Sequence, residues 1–539
     1  MRTINCAFLF MFVFSMLNAQ NPKVEPIETG IYQASWESLK QYGEAPEWFQ
    51  NAKFGIWAHW GPQCEPEDGD WYARCMYYPG QRQYKTHISK YGNPRDFGFK
   101  DVINIWKADK WDPERLVALY KKVGAQYFVA LANHHDNMDL WDSKYQPWNS
   151  VNMGPKKDLL AGWAKAAKNN GLPFGISIHA SHAPLRCGGR FPAWTWYEGS
   201  QDFDGNLTCK DGVGKWWEGY DPQDLYAQNH PRSVGSNNIS NIHKQWNWGN
   251  GASQPSEEYC NNIYNRTIDA INKYNPDLIY FDDTVLPFYP INNVGPRIAA
   301  HAYNKSLKEN GSQKTVILGK VLNEAQKECM VWDIERGIPD RIQEKPWQTC
   351  TCIGTWHYER SFYDNNRYKS AKTVIHMLID IISKNGNLLL SVPMRGDGTI
   401  DDKEEAILKT ISDWMDINKE SIYDTRPWKV FGEGPTADQI NPMKGPGFNE
   451  NIKYSNKDIR YVIKGNTLYA TVLGCPDNEN ITFKSLADST TNYTGKVKTV
   501  ELLGYGKLDI ISCNNEGLTI KLPAKKTNNI ALVFKISFN

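Results

Sequence analysis

Between Phe54 and Val392 the chain repeats one arrangement, a short apolar run followed by a helix-forming stretch, and this repetition narrows the possible folds more than any other feature. The runs are Phe54 to Trp60, Tyr127 to Ala132, Pro173 to His179, Leu278 to Phe281, Thr315 to Gly319, Met330 to Asp333 and Asn387 to Val392. Each is short and bounded by turn residues, which marks a buried strand. Helical signals lie between them. Asp112-Pro113-Glu114-Arg115 supplies a cap and a first-turn proline ahead of Leu116, Leu119 and Tyr120 on one face. Leu159 to Asn170 stops at Gly171, and a long helix is expected near Lys369 to Ser383. Strand and helix in alternation predict an α/β protein whose parallel sheet closes as a TIM-like (β/α) barrel. The turn-rich segment from Arg186 to Ser256 is too long for an ordinary connection; it either walls the site or is partly mobile.

After Trp428 the texture changes. Gly432 to Thr436 and Pro442 to Gly447 read as a Gly/Pro-rich linker, and beyond it only strand patterns occur: Tyr461 to Lys464, Thr467 to Val472, Leu518 to Leu522 and Ile530 to Phe534. A small all-β sandwich is expected there. The chain thus divides into residues 1–20 as a signal peptide, 21–436 as the barrel and 437–539 as the sandwich. Arg2, the apolar run Ala7 to Leu17 and the small residue Ala19 carry the first of these assignments, and imply export to the periplasm or the medium.

Charge excludes some partners. With 61 basic and 60 acidic residues and a net charge of +1, the chain lacks the basic footprint that nucleic acid or an anionic membrane requires. Aromatic residues make up 13% of it, many in turn-rich stretches such as Phe191 to Tyr197, and rings with an apolar face and a polar edge suit sugars. Among the cysteines, Cys64/Cys75 and Cys187/Cys209 are near enough in sequence to pair, though spacing does not decide connectivity. Cys350-Thr351-Cys352 lacks the spacer of a zinc site.

Several strand ends carry polar groups. His59 and Trp60 follow the first run, His134-His135-Asp136 the second, His179 and His182 the third, and Asp282 closes the Leu278 to Phe281 run. In a barrel such positions converge on one pocket. Asp282 is the candidate catalytic carboxylate, unless Asp282 and Asp283 simply cap a following helix. Two adjacent histidines beside an acid also raise a metal, although neighbouring strand residues point to opposite faces.

The runs Lys53 to Gly61, His134 to Trp141, Trp148-Asn149-Ser150, Gly154 to Asp158, Tyr368-Lys369-Ser370, Ser383 to Leu390 and Thr425 to Trp428 resemble, in order, the α-L-fucosidases of glycoside hydrolase family 29. The resemblance covers roughly residues 40 to 436 and implies an irregular (β/α)8-like barrel followed by a β-sandwich. It implies retaining hydrolysis of terminal α-L-fucosyl bonds of an oligosaccharide or polysaccharide through a covalent glycosyl-enzyme, with no cofactor and no metal. Asp282 matches the family nucleophile. Glu335 is identified as the acid/base, with Asp283, Glu328 and Glu359 in reserve; Gln348 stands where some relatives keep a glutamate and cannot shuttle a proton. His59, His134 and His135 match residues that hydrogen-bond fucose hydroxyls, and Trp71 and Trp356 match aromatics beside the sugar. Two departures stand out. Asp70 replaces the Glu of a Glu-Trp-Tyr motif, and His179 falls where the family has a tyrosine, so that L-galactose is a conceivable sugar in place of fucose. The same residues would also suit a non-catalytic sugar-binding relative, or a metal-dependent hydrolase built on His134, His135 and Asp136.

Overall fold

The computed structural model describes residues 23–182, 203–226, 248–252, 254–444 and 446–539. The expected signal peptide, the Phe191 to Tyr197 stretch and much of the Arg186 to Ser256 segment lie outside these residues, as does the side chain of His182.

Eight parallel strands close a barrel in chain order: β1 (Phe54–Ala58), β2 (Tyr127–Leu131), β3 (Phe174–Ile178), β4 (Leu278–Phe281), β5 (Val316–Gly319), β6 (Val331–Glu335), β7 (Trp347–Cys352) and β8 (Gly386–Ser391), with β8 paired back to β1. All residues of β1 to β5 are buried, as strands covered by helices outside and by side chains inside must be. Closure depends on fit. Gly55 is opposite Tyr127 in the β1/β2 register, and a Cβ there would lie 2.3 Å from the Tyr127 ring, so glycine makes room for it.

The helices are placed by their caps. Asp112 accepts from Arg115 N–H at 3.0 Å to start Pro113–Val123, which ends at Gly124 with φ of 116°. Ser370 accepts from Thr373 N–H at 3.1 Å to start Ala371–Ser383, and Ser256 starts Glu257–Tyr274 in the same way.

One strand was not legible in the sequence. β7 reads Trp-Gln-Thr-Cys-Thr-Cys, which lacks an apolar run, yet all six residues are buried. Polar side chains are tolerated because they satisfy one another inside the barrel. Tyr127 Oη donates to Gln348 at 2.8 Å, Gln348 donates to Asp333 at 3.0 Å, and Cys350 Sγ lies 3.3 Å from Asp333. Gln348 is therefore part of the barrel interior. β6 also runs further than expected, to Glu335.

The C-terminal part holds a six-stranded sheet in the order β14-β13-β17-β11-β10-β9 and a three-stranded sheet β12-β16-β15. These are β9 (Arg426–Glu433), β10 (Ile459–Lys464), β11 (Thr467–Val472), β12 (Asn480–Phe483), β13 (Val497–Leu502), β14 (Gly506–Lys507), β15 (Ile510–Asn514), β16 (Gly517–Lys521) and β17 (Leu532–Phe538). β9 precedes residue 436 but pairs antiparallel with β10, and Trp428 on it enters the second core with Tyr461, Phe483 and Phe534. The two parts meet at a buried charge cluster. Asp380 of the helix Ala371–Ser383 binds Arg460 of β10, Lys384 at 2.9 Å and the Tyr454 hydroxyl at 3.0 Å. Cys64 and Cys75 are both buried and unbonded. Among the described residues no helix is long and apolar enough to cross a membrane.

Candidate active site

Each barrel strand that carries a candidate side chain delivers it at the carboxyl end. His59 follows β1, His179 follows β3, Asp282 follows β4, Lys320 follows β5, and Glu335 is the last residue of β6. Together with Trp71, His134, His135 and Trp356 they line one cavity of about 800 Å³, which Trp57, Asp70, Tyr280, Val321, His357, Lys444 and Phe448 also border. His59, Trp71, His134, His135, His179, Asp282, Glu335 and Trp356, all proposed from the sequence, are thus brought to the same cavity.

Lys320 organises the carboxylates. Its Nζ lies 2.7 Å from Asp282 Oδ1 and 2.7 Å from Glu335 Oε2, and its side chain is 2% exposed. Two oxygens held by one ammonium nitrogen stand no further apart than twice that distance. Burial opposes the charge of Asp282, but the Lys320 ammonium and the hydrogen bond from His135 Nε2 at 2.9 Å hold its carboxyl well below the usual range. Burial likewise opposes the Lys320 charge, and the two carboxylates push its pKa well above that of an ordinary lysine. Beneath them Asp333 is lifted to about 6, chiefly by burial.

Histidines line the wall next to Asp282. The rings of His134 and His179 are 4.6 Å apart, those of His59 and His357 4.7 Å, and those of His59 and His134 5.0 Å. Burial, reinforced by the neighbouring imidazoles, holds His59 and His134 well below the usual histidine pKa, and burial brings His179 down to about 3. All three are neutral at neutral pH. The tautomer of His134 follows from its neighbour. Gln63 Oε1 accepts from Ala73 N–H at 3.3 Å, so its amide nitrogen is the atom 2.9 Å from His134 Nδ1; that ring nitrogen accepts, and the ring proton sits on Nε2. Neither ring nitrogen of His59 has a hydrogen-bond partner among the described residues, which leaves both for a ligand.

A buried framework sets these rings. Asn133 Oδ1 accepts from the N–H groups of His179 and Ala180 at 3.1 and 3.2 Å, tying the end of β2 to the end of β3. Asp139 accepts from Arg266 Nη2 at 2.5 Å and from Nε at 3.0 Å, while Arg266 also donates to Asn137 Oδ1 at 2.6 Å. Arg266 and Asp139 thereby clamp the turn that carries His134 and His135.

Other candidates lie elsewhere. Asp283 does not cap a helix: its buried carboxylate accepts from Ser181 Oγ at 2.8 Å. Glu328 pairs with Lys345, and Glu359 pairs with Arg82 at 2.7 Å and Arg367 at 3.1 Å. Arg336 binds Glu450 at 2.7 Å, leaving Glu335 to Lys320. Asp70, one methylene shorter than the family residue, spends its carboxylate on His357 N–H at 2.7 Å. His134, His135 and Asp136 do not converge on a point, since His135 goes to Asp282 and Asp136 accepts from Gln63 and from Met138 N–H. The described group that could hold a metal ion is instead His59, His134 and His179, whose ligand nitrogens lie within 4.8 Å of one another.

Lys320, Trp57, Tyr280, His357, Lys444 and Phe448 were missed by sequence reasoning. For Lys320 a signal existed, its place directly after a strand. Trp57 and Tyr280 stand two residues before His59 and Asp282, a spacing that puts them on the same strand face.

A family model described as Alpha-L-fucosidase matches residues 19–420. The chain belongs to the alpha-L-fucosidase family. A second model, Alpha-L-fucosidase C-terminal domain, matches residues 450–537. The chain is 24% identical over 513 residues to the alpha-L-fucosidase of Branchiostoma floridae, covering 93% of both. It is 24% identical over 502 residues to the plasma alpha-L-fucosidase of Homo sapiens, covering 91% of this chain and 88% of that one. Among solved structures it is similar to Thermotoga maritima alpha-fucosidase in complex with fucose, at 25% identity and a TM-score of 0.67, covering 94% of this chain and 99% of that one. The protein is a glycoside hydrolase of the fucosidase class.

Proposed function

We propose that the protein is an exported, exo-acting, retaining α-L-fucosidase in which Asp282 is the nucleophile and Glu335 the acid/base. The observation that carries this reading is the shared Lys320. Retaining glycosidases place their two carboxyl groups about 5 to 5.5 Å apart, whereas inverting enzymes need about 6.5 to 9.5 Å to admit a water. Asp282 and Glu335 each place an oxygen 2.7 Å from one nitrogen, so those two oxygens are within about 5.4 Å of each other, which supports the first arrangement.

Asp282 attacks the anomeric carbon as an ionised carboxylate while Glu335 gives its proton to the departing oxygen. The resulting ester is hydrolysed by a water that Glu335 deprotonates. Esterification removes the charge on Asp282 that Lys320 balances, so Lys320 remains to pair with the Glu335 carboxylate in the second half-reaction. His59, with two open nitrogens, and His134, with its proton on Nε2, supply the donors and acceptors that sugar hydroxyls need. Trp57, Tyr280 and Trp356 offer apolar faces to the ring, Trp57 lying 4.8 Å from Tyr280 and 5.5 Å from Trp356. Arg2, the apolar run Ala7 to Leu17 and Ala19 support the reading that the protein is exported to the periplasm or medium.

The test is release of the chromophore from an aryl α-L-fucoside by wild type, Asp282→Ala and Glu335→Ala, with and without azide. Near-total loss in both variants, with azide rescuing turnover as fucosyl azides of opposite anomeric configuration, is the expected result. A fully active Glu335→Ala would remove Glu335 from this role, and an inactive wild type would remove fucose as the substrate.

A further inference from the structure

Residues 442–444 and 446–450, which overlap the Pro442 to Gly447 stretch expected from its Gly/Pro content to be a linker, are fastened to the end of β6. Glu335 N–H donates to Pro446 O at 3.1 Å, and Phe448 N–H donates to Glu335 O at 2.9 Å. Behind this contact Asn449 accepts from Ile338 N–H at 2.8 Å and donates to Ile338 O at 3.0 Å. Glu450 is buried between Arg336 at 2.7 Å, Lys369 at 3.2 Å and Thr351 Oγ1 at 2.5 Å. Burial works against its charge, but Lys369 and Arg336 hold the carboxyl below its ordinary value. The segment is therefore a fixed strap, and it sets Lys444, Pro446 and Phe448 into the cavity wall.

We infer that this strap, together with Val321, is the binding site for the leaving-group sugar, and that Lys444 selects an aglycone carrying an anionic substituent, a sulfate ester or a uronic carboxylate. The inference rests on Glu335 being the proton donor. A donor to the departing oxygen stands on the aglycone side of the scissile bond, so residues hydrogen-bonded to its backbone border the aglycone and not the fucosyl ring. The histidines occupy the other side, around Asp282.

Two further observations agree. Val321 and Phe448 are 52% and 45% exposed although both border the cavity, and both hold left-handed backbone conformations, with φ of 54° and 55°. Bulky residues stay in that region only where their surroundings fix them, and such positions cluster at ligand sites. An exposed aromatic face beside an apolar side chain suits the flat face of a sugar. Charge supplies the selectivity. Among the described residues, the charged side chains on the cavity wall are Asp70, Asp282, Lys320, Glu335 and Lys444. Lys320 is committed to the two carboxylates and Asp70 to the His357 N–H. Lys444 is exposed and forms no ion pair with a described residue, so its ammonium is the charge at the rim that can meet an anion.

The experiment uses the full chain and three disaccharides: an α-L-fucosyl galactoside, its O-sulfated counterpart and an α-L-fucosyl galacturonide, with the aryl fucoside beside them. The readout is the ratio of kcat/KM for each anionic substrate to that for the neutral one. Wild type is expected to favour at least one anionic substrate by about two- to fivefold, as for an exposed ion pair, and ~0.5 M salt is expected to shrink the preference. Lys444→Gln brings the ratio near one and Lys444→Arg keeps it. The arm that responds tells sulfate from carboxylate. A ratio near one in wild type, or the same ratio in wild type and Lys444→Gln, overturns the inference while aryl fucoside hydrolysis stands. Absence of aryl fucoside hydrolysis in wild type overturns the fucosidase reading and the strap's role with it.

Discussion

Replacing Lys320 with methionine removes one charge from between two carboxylates while keeping most of the side-chain volume. Lys320 Nζ contacts Asp282 and Glu335 at 2.7 Å each, and it also faces Asp333, Cys350 and the Tyr280 ring at 5.5 Å. Asp282 additionally faces His135 and His179. At an effective dielectric of about 20, a cation and a carboxylate at this distance attract by at most about 6 kcal/mol, and an adjacent cation lowers a carboxyl by about 1 to 3 pH units in practice. The acid limb of kcat/KM reports ionisation of the nucleophile in the free enzyme. Asp282 is held low chiefly by Lys320 against the opposing effect of burial, so without that charge its proton leaves only at higher pH. The limb is expected to rise, with His135 retaining the remainder of the effect. Stability falls as well, by about 3 kcal/mol, because removing one partner strands the others. The assay is the pH profile of aryl fucoside hydrolysis for wild type, Lys320→Met and Lys320→Arg, each checked for folding by circular dichroism and melting. Lys320→Arg keeps the charge and should keep the limb. If folded Lys320→Met shows an acid limb superimposed on that of wild type, Lys320 does not set the charge of the nucleophile.

Other expectations follow from the same geometry. The depressed histidines bind protons more readily in the unfolded chain, so stability should be complete above about pH 6.5 and fall as the pH drops towards 3; His179, brought down to about 3, accounts for at most about 5 kcal/mol of this in urea titrations at graded pH. Arg266→Met leaves Asp139 buried and unpaired, which should cost about 3 to 5 kcal/mol and loosen the turn bearing His134 and His135, seen as a lower melting temperature and a raised KM. Asp380 has its carboxyl brought to about 2, burial being outweighed by Lys384 and Arg460, so the stability it confers is present above about pH 4 and lost towards pH 2. Asp380→Asn should abolish that component and separate unfolding of the sandwich from that of the barrel in calorimetry.

The strands were legible wherever burial wrote an apolar run, as in Leu278 to Phe281, and the caps Asp112 and Ser370 stand where helices begin. β7 escaped notice because its buried side chains are polar, and their partners Tyr127 and Asp333 are far away in sequence. The sandwich strands Val497–Leu502 and Ile510–Asn514 carry several polar or charged residues and gave no apolar run to find. Among site residues, those that follow strands in recognisable motifs, His59, His134, His135 and Asp282, could be named in advance. Lys444 could not, since it sits in a stretch whose composition reads as a linker, nor could Phe448, which directly follows that stretch.

By itself the sequence determined the alternation of elements, the strand ends that would bear acids and histidines, and the family to which their order belongs. Those features are local, written in periodicity, caps and short motifs. Only the tertiary structure decided that one lysine joins Asp282 to Glu335, that Arg266 holds the histidine turn, and that Lys444, Pro446 and Phe448 complete the cavity. Such contacts join residues remote in sequence, and which charge balances which is settled only when barrel closure brings them within a few ångströms.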